Sequence, residues 1–253
     1  MGPKPNQKKI AISIASVNIE GIKSNSLMLK KLHKNNDVVC IQEHWLNSYE
    51  VHTFENNFKP QNSSFKCKET DYDFSHHKRG NGGVALLWKT KLNPFITELN
   101  CGNERIQTIV IDSTPKICLI TTYMPVNKNK GAEEYLENLC LIEEIIDTTQ
   151  DCKHIIVGDF NASLRRDNAQ DKLLQKFVKD RSLFNQDTDQ MTYYGHNGTT
   201  SQIDYAFSDD RSLLNEYSIG EPNAINTSSH CEVSIKCEVC IPNNKCQDTN
   251  FLL

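Results

Sequence analysis

Short apolar runs that stop abruptly at polar residues constrain this chain more than any other feature. VVCI (38–41) runs into Gln42, Glu43 and His44; CLITT (118–122) runs into Tyr123; HIIVG (154–158) runs into Asp159 and Asn161. Runs of about four to eight residues bounded by turn formers read as strands. Further strands are expected over KIAISIASVN, where Ile10, Ile12 and Ile14 share a face, and over GGVALLWK, FITEL, RIQTIVID, QIDYAFS and residues 231–241. NSLMLKKLHKN reads as a helix capped by Ser24 or Ser26. GAEEYLENLCLIEEIID is amphipathic, with Tyr135, Leu139, Ile142 and Ile146 in one stripe, and KLLQKFVKDRSL is a further helix. MTYYGHNGTTSQI predicts a hairpin turning at Gly195 to Gly198, and residues 56–82 read as loop-rich. Many strands and few helices, in no strict alternation, imply an α+β fold of stacked sheets with helices outside.

The 253 residues suit one domain over 10–241, after a disordered basic stretch at 1–9 and before a linker-like tail at 242–253. Among ten cysteines, Cys40, Cys118 and Cys140 sit inside apolar runs, where a free thiol behaves as a small hydrophobe. With no signal-like segment in MGPKPNQKK, a reduced setting is expected in place of a disulfide framework. Cys237 and Cys240, three apart on a strand, face opposite sides, which favours a closing strand over a zinc pair. No apolar run approaches a membrane span, so no membrane partner is expected.

A net charge of −4 gives no basic footprint for nucleic acid. The charge is uneven, however: residues 1–36 hold seven Lys and one acid, Glu20, while 133–151 hold seven acids and no Lys or Arg. The acidic stretch reads as the solvated face of a helix.

The polar residues that end the strands have a chemical logic. Asn18, Glu20 and Glu43 offer hard oxygen donors, which suit Mg²⁺, with Mn²⁺ as an alternative. Asp159 is placed to orient or deprotonate a water, and Asn161 donates from a neutral amide without adding a second anion. Asp204 would pair with one nitrogen of His230 and leave the other for substrate oxygen. Tyr123 would donate to phosphate. Together they describe phosphodiester hydrolysis. RGNGG reads as a turn, since neither a helix nor Lys-Ser/Thr follows.

SVNIEG, IQEHW, TTYMP, VGDFNASL, SQIDYAF and SSHCEV occur in the order that resembles the endonuclease/exonuclease/phosphatase superfamily, over about residues 10 to 240. Within it, QEHWL, GGVALLW, GDFNASL and Ser201 to Asp204 look most like the apurinic-type endonuclease domain of LINE-type (non-LTR) retrotransposons. The resemblance implies a DNase I-like four-layer sandwich of two mainly antiparallel sheets flanked by helices. It places Asn18, Glu20 and Glu43 around Mg²⁺, Tyr123 on phosphate, Asp159 and Asn161 at the water, and Asp204 on His230. Three departures stand out: Ser229 where the family usually has Asp, Val126 where Asn usually follows Tyr-x-Pro, and Glu20 where a shorter acid or amide is common.

The resemblance implies a nick in one strand of duplex DNA, leaving a 3′-hydroxyl and a 5′-phosphate. The 3′-hydroxyl would prime a reverse transcriptase of the same polyprotein on element RNA, in the nucleus after synthesis in the cytoplasm. DNA contacts are expected from Arg79, from Thr192 and Ser201 in the hairpin, and from His196 and Asn197 at its turn, with Ser229 beside His230. The segment HNGTTSQ before Asp204 lacks the Trp of abasic-site repair enzymes, which argues against strict abasic specificity. A catalytically weakened DNA-binding module, a repair endonuclease and a small-phosphoester phosphatase are the alternatives.

Overall fold

The apolar runs do become strands, and the two-residue period of their side chains decides what each strand touches. The computed structural model describes residues 7–47, 49–52, 54, 63–67, 80–126, 131–186 and 188–243. Along the chain lie β1 (Gln7–Asn18), α1 (Ser26–Asn35), β2 (Val38–Gln42), β3 (Ser63–Cys67), β4 (Val84–Lys89), β5 (Ile96–Glu98), β6 (Ile106–Ile111) and β7 (Ile117–Tyr123). Then come α2 (Gly131–Thr148), β8 (Lys153–Asp159), α3 (Ala169–Asp180), β9 (Tyr193–Tyr194), β10 (Thr200–Ser201), β11 (Asp204–Ser208), β12 (Ser218–Ile219) and β13 (Val233–Pro242). One sheet has the order β12-β13-β1-β2-β4-β3, the other β11-β8-β7-β6-β5, and β9 and β10 make a separate hairpin.

Within each large sheet one pair of strands is parallel, β1 with β2 and β7 with β8; the other pairs are antiparallel. Parallel neighbours need a crossover, and α1 and α2 supply it. The two parallel pairs therefore finish on one rim of the molecule, at Asn18 beside Gln42 and at Tyr123 beside Asp159.

Alternation along each strand builds the layers. Ile12, Ile14, Val38 and Cys40 meet Ile109, Leu119, Ile155 and Val157 between the sheets. Their neighbours Ala15, Val17, Val39 and Ile41 pack under Met28 and Leu29 of α1. Ile120 and Ile156 pack under Tyr135, Leu139 and Ile142 of α2 and Leu174 and Phe177 of α3. The result is the expected sandwich of helix, sheet, sheet and helix. Each fully buried Ile or Leu contributes roughly 1.5–3 kcal/mol. One polar strut crosses the apolar layer: fully buried Gln42 donates from Nε2 to Ser16 Oγ (3.1 Å) and to Thr121 Oγ1 of the opposite sheet (2.9 Å).

Four details differ from expectation. Strand β1 starts at Gln7, inside the stretch expected to be disordered, because Gln7 to Lys9 pair with Pro242 to Cys240. Residues 1–6 and 244–253 lie outside the described residues. The loop-rich stretch holds an edge strand, β3, paired with β4. Neither Ser24 nor Ser26 caps α1: Asn25 stands at the N-cap without a capping side-chain bond, and Ser24 Oγ donates to Gly21 O instead. The acidic face of α2 is partly paired, since Arg181 binds Glu143 and Asp147 and Arg105 binds Glu134. Cys40, Cys101, Cys118, Cys140, Cys152, Cys231, Cys237 and Cys240 are free, and Cys237 is buried in β13, as the closing-strand reading requires. No helix among the described residues is long and apolar enough to cross a membrane.

The loop after β8 is pinned by α3. Asn168 and Asp171 form a reciprocal capping box, and the Asp171 carboxylate also accepts from Ser163 N (2.7 Å). Asp171 is fully buried, so its loss would strand two backbone donors. Asp171→Ala is expected to cost about 2–3 kcal/mol in urea unfolding. A loss below about 0.5 kcal/mol would mean that water replaces both bonds.

Candidate active site

Where the two parallel pairs end, four strands deliver polar side chains to one place. Asn18 closes β1 and is fully buried. Its side-chain amide donates to Glu43 Oε1 (2.8 Å) and, across the sandwich, to Asp159 Oδ2 (2.9 Å). Its carbonyl Oδ1 accepts from Glu20 N at 3.1 Å. Glu43 follows β2 in the left-handed region, at φ 53°, as does Trp45. That turn brings the indole N–H of Trp45 back onto Glu43 Oε2 at 2.8 Å. Tyr123, at the end of β7, lies beside Glu43. Burial, with the charges of Glu43 and Asp159, pushes the Tyr123 phenol upward and keeps it a donor. The Arg105 guanidinium lies 5.3 Å from the centre of the Tyr123 ring.

Asp159, at the end of β8, is 1% exposed. The preceding Gly158 has no substitute, because a Cβ there would strike the Thr122 carbonyl of β7. Asn161, left-handed at φ 48°, folds back so that its N–H donates to Asp159 Oδ1 (2.9 Å) and its amide to Met124 O (2.9 Å) and Asp159 Oδ2 (3.3 Å). On the other side His230 Nδ1 lies 3.0 Å from Asp204 Oδ2, and His230 Nε2 lies 3.9 Å from Asp159 Oδ2. Burial alone would lower the His230 pKa, but the charges of Asp204 and Asp159 outweigh it and hold the ring as imidazolium. Burial and the nearby Asp204 charge raise Asp159 well above the ordinary carboxylate range, against the pull of His230 and the Asn18 amide.

The expected metal set is only partly assembled. Glu43 and Asn18 meet, whereas the Glu20 carboxylate accepts from Ser229 N at 2.9 Å, on the His230 side. Among the described residues, the acidic and histidine groups whose ligand atoms all lie within 4.8 Å are Asp159, Asp204 and His230. In that trio the imidazolium already neutralises carboxylate charge. The half-buried Glu43 carboxylate, with Asp159 across the Asn18 amide, is the donor set that suits a hard divalent cation.

The expected DNA-contact residues divide. His196 and Asn197 are exposed at the hairpin turn, and Ser201 is half-buried on β10. Thr192 is a correction: it is fully buried, and its Oγ1 accepts from the N–H of Ile203 and of Asp204 (3.0 Å each), so it braces the hairpin base and has no surface for a ligand. Arg79 lies outside the described residues. Sequence reasoning missed Tyr193, whose ring meets His230 edge-on with centroids 5.0 Å apart. It also gave Trp45 no role; the signal was a donor two residues after Glu43 in QEHW. A cleft between the hairpin and the following segment is lined by Tyr194, His196, Asn223, Asn226 and Ser229.

The sequence profile of the endonuclease/exonuclease/phosphatase family matches residues 15–230. The chain belongs to that family. It is a metal-dependent phosphodiesterase. Comparison with curated proteins gave no match. Among solved structures, a 3′ phosphatase from Neisseria, determined with product DNA hairpin, is 13% identical over 88% of this chain and 98% of its own, with TM-score 0.70. The endonuclease domain of TRAS1, a telomere-specific non-LTR retrotransposon, is 16% identical over 90% and 98%, with TM-score 0.69. An AP endonuclease from Archaeoglobus fulgidus is 14% identical over 88% and 98%, with TM-score 0.66. At these identities the likeness is one of fold.

The raised His230 pKa carries a sign. The stabilisation from the charged His230–Asp204 pair is fully present below the ordinary value of 6.5 and is lost as pH rises through the elevated one. Nitrogen-15 NMR of the imidazole in the metal-free protein is expected to show a protonated ring at neutral pH. Asp204→Asn is expected to move that titration to lower pH; an unmoved titration would deny the pairing.

Proposed function

We propose that this chain is an endonuclease that nicks one strand of duplex DNA, leaving a 3′-hydroxyl and a 5′-phosphate. We propose further that it acts in the nucleus within a LINE-type retrotransposon polyprotein, where the new 3′-hydroxyl primes reverse transcription of element RNA. The observation that carries the cleavage reading is the single Asn18 amide that joins Glu43 of one sheet to Asp159 of the other, with His230 closing the far side. The motifs shared with LINE-type endonucleases, and the fold likeness to one such domain, support the narrower setting.

Glu43, with Asp159 across the Asn18 amide, would hold a divalent cation, Mg²⁺ or Mn²⁺, which would supply positive charge against the phosphate and its leaving oxygen. The protein's own groups account for the rest. The His230 imidazolium faces the space beside Asp159 and donates to a non-bridging phosphate oxygen, where charge grows during attack. Asp159 accepts a proton from the attacking water; its elevated pKa suits a base that works near neutrality. Asn161 fixes the Asp159 carboxylate through its own N–H. Tyr123, held protonated against Glu43, keeps a donor at the phosphate's edge. Asp204 sustains the imidazolium and fixes its orientation.

The hairpin rises next to this site. It is tied to the His230 segment by Tyr194 N–H to Ser229 O (2.8 Å) and Cys231 N–H to Thr192 O (2.7 Å). Its turn, His196-Asn197, is exposed and leans on a groove of the duplex, so site choice follows groove shape more than base edges.

A supercoiled-plasmid assay tests the chemistry. Wild type is expected to yield open circles with Mg²⁺ and none with EDTA. Glu43→Ala, Asp159→Ala and His230→Ala are each expected to lose about 100-fold or more. Release of inorganic phosphate from small esters without plasmid nicking would favour the phosphatase alternative. Replacing His196-Asn197 with Gly-Gly is expected to redistribute nick positions while the rate stays within about threefold, since no reacting group is touched. An unchanged nick map would remove the hairpin from target choice.

A further inference from the structure

The segment that carries His230 is bound to more than the hairpin. It is stitched, residue by residue, to the turn that follows β1. Asn25 Oδ1 accepts from Thr227 N (2.7 Å) and Thr227 Oγ1 (3.0 Å), while its amide donates to Ile19 O at 2.7 Å. Ser228 Oγ donates to Asn18 O (2.7 Å) and accepts from His230 N (3.1 Å). Between these, Glu20 Oε2 accepts from Ser229 N at 2.9 Å. Glu20 sits in the left-handed region at φ 43°, and its own N–H is bound by Asn18 Oδ1. That backbone conformation aims its side chain at Ser229 and away from the carboxylate of Glu43, which is occupied by Asn18 and Trp45.

We propose that Glu20 is a positioning residue that latches the His230 segment onto the end of β1, and that it is not a ligand of the cation. It is the one charged link of the three, and a carboxylate accepting from a backbone N–H makes a bond about twice as strong as a neutral one. Ser229 fits the same arrangement. Serine adds no second negative charge next to the backbone N–H that the Glu20 carboxylate binds. The negative charge of Glu20 also adds to those of Asp204 and Asp159 in favouring the His230 imidazolium. The latch therefore acts on substrate through His230 and touches no reacting atom itself. In its kinetic arm the proposal rests on the nuclease reading; in its structural arm it does not.

The test uses the whole chain and two readouts. Backbone amide exchange at Ser229, followed by NMR, reports the latch directly. Plasmid nicking across a Mg²⁺ titration separates positioning from ligation. Glu20→Ala is expected to speed Ser229 exchange and to lower turnover, each about tenfold or more, at an unchanged half-saturating Mg²⁺ concentration. Glu20→Gln keeps a carbonyl acceptor and is expected to restore Ser229 protection and most of the turnover. Glu43→Ala serves as the contrast, with its deficit in the Mg²⁺ dependence. Unchanged Ser229 exchange in Glu20→Ala would overturn the latch. So would a rise of about tenfold or more in half-saturating Mg²⁺ for that variant. If wild type does not nick at all, the nuclease reading fails, and the exchange arm alone decides for or against the latch.

Discussion

An amide side chain has two hydrogens to give, and Asn18 gives both to carboxylates. One belongs to the sheet that carries Asn18, through Glu43; the other comes from the facing sheet, through Asp159. Two anions brought together in a buried place would repel, and the amide lets them share a donor without contributing charge of its own. His230 relieves the remainder from the far side, as a cation held by Asp204. The rest of the rim follows from this arrangement. Gln42 makes the same kind of crossing one layer deeper, on Thr121, so two polar struts hold the sheets in a fixed relation just beneath the site. Removing either strut would leave buried polar atoms unmatched, which costs more than the bond itself contributes.

Backbone strain is concentrated where the chemistry is. Glu20, Glu43, Trp45 and Asn161 all have positive φ, a conformation that costs a non-glycine residue of order 1 kcal/mol. Each of the four uses that conformation to turn a side chain or an N–H back on the site. The cost is offset in the layers below, where unbroken runs such as Ile155 to Val157 are buried on both faces. A strand end can hold a poor conformation when the strand body cannot move.

Much of this could be read from the chain itself. The strands were legible because apolar runs of this length have few other uses; Asp159 and Asn161 were legible because they follow such a run, and Asp204 and His230 because they come just before the last two. What escaped were the pairings. Thr192 looked like a hairpin side chain open to a ligand, yet nothing in the sequence just before so short a strand warns that its hydroxyl would satisfy two backbone donors. Glu20 looked like a third oxygen donor because it lies two residues from Asn18; only the left-handed turn sends it toward Ser229. Asn25 was passed over in favour of two serines, although its amide donates to Ile19 O while its carbonyl oxygen accepts from Thr227 N. Periodicity tells which face a residue occupies. It does not tell which distant segment arrives at that face.

The pairing of β1 with β13 has a consequence for how such a module can be joined to others. Gln7 sits opposite Pro242, while Asn18 and Val233 lie at the other end of the same ladder, next to the catalytic rim. A strand as long as β1 spans roughly 35–40 Å. Both ends of the described chain thus emerge side by side at the pole remote from the catalytic rim. A neighbour packed against that pole would meet the domain from behind, and the rim would stay open.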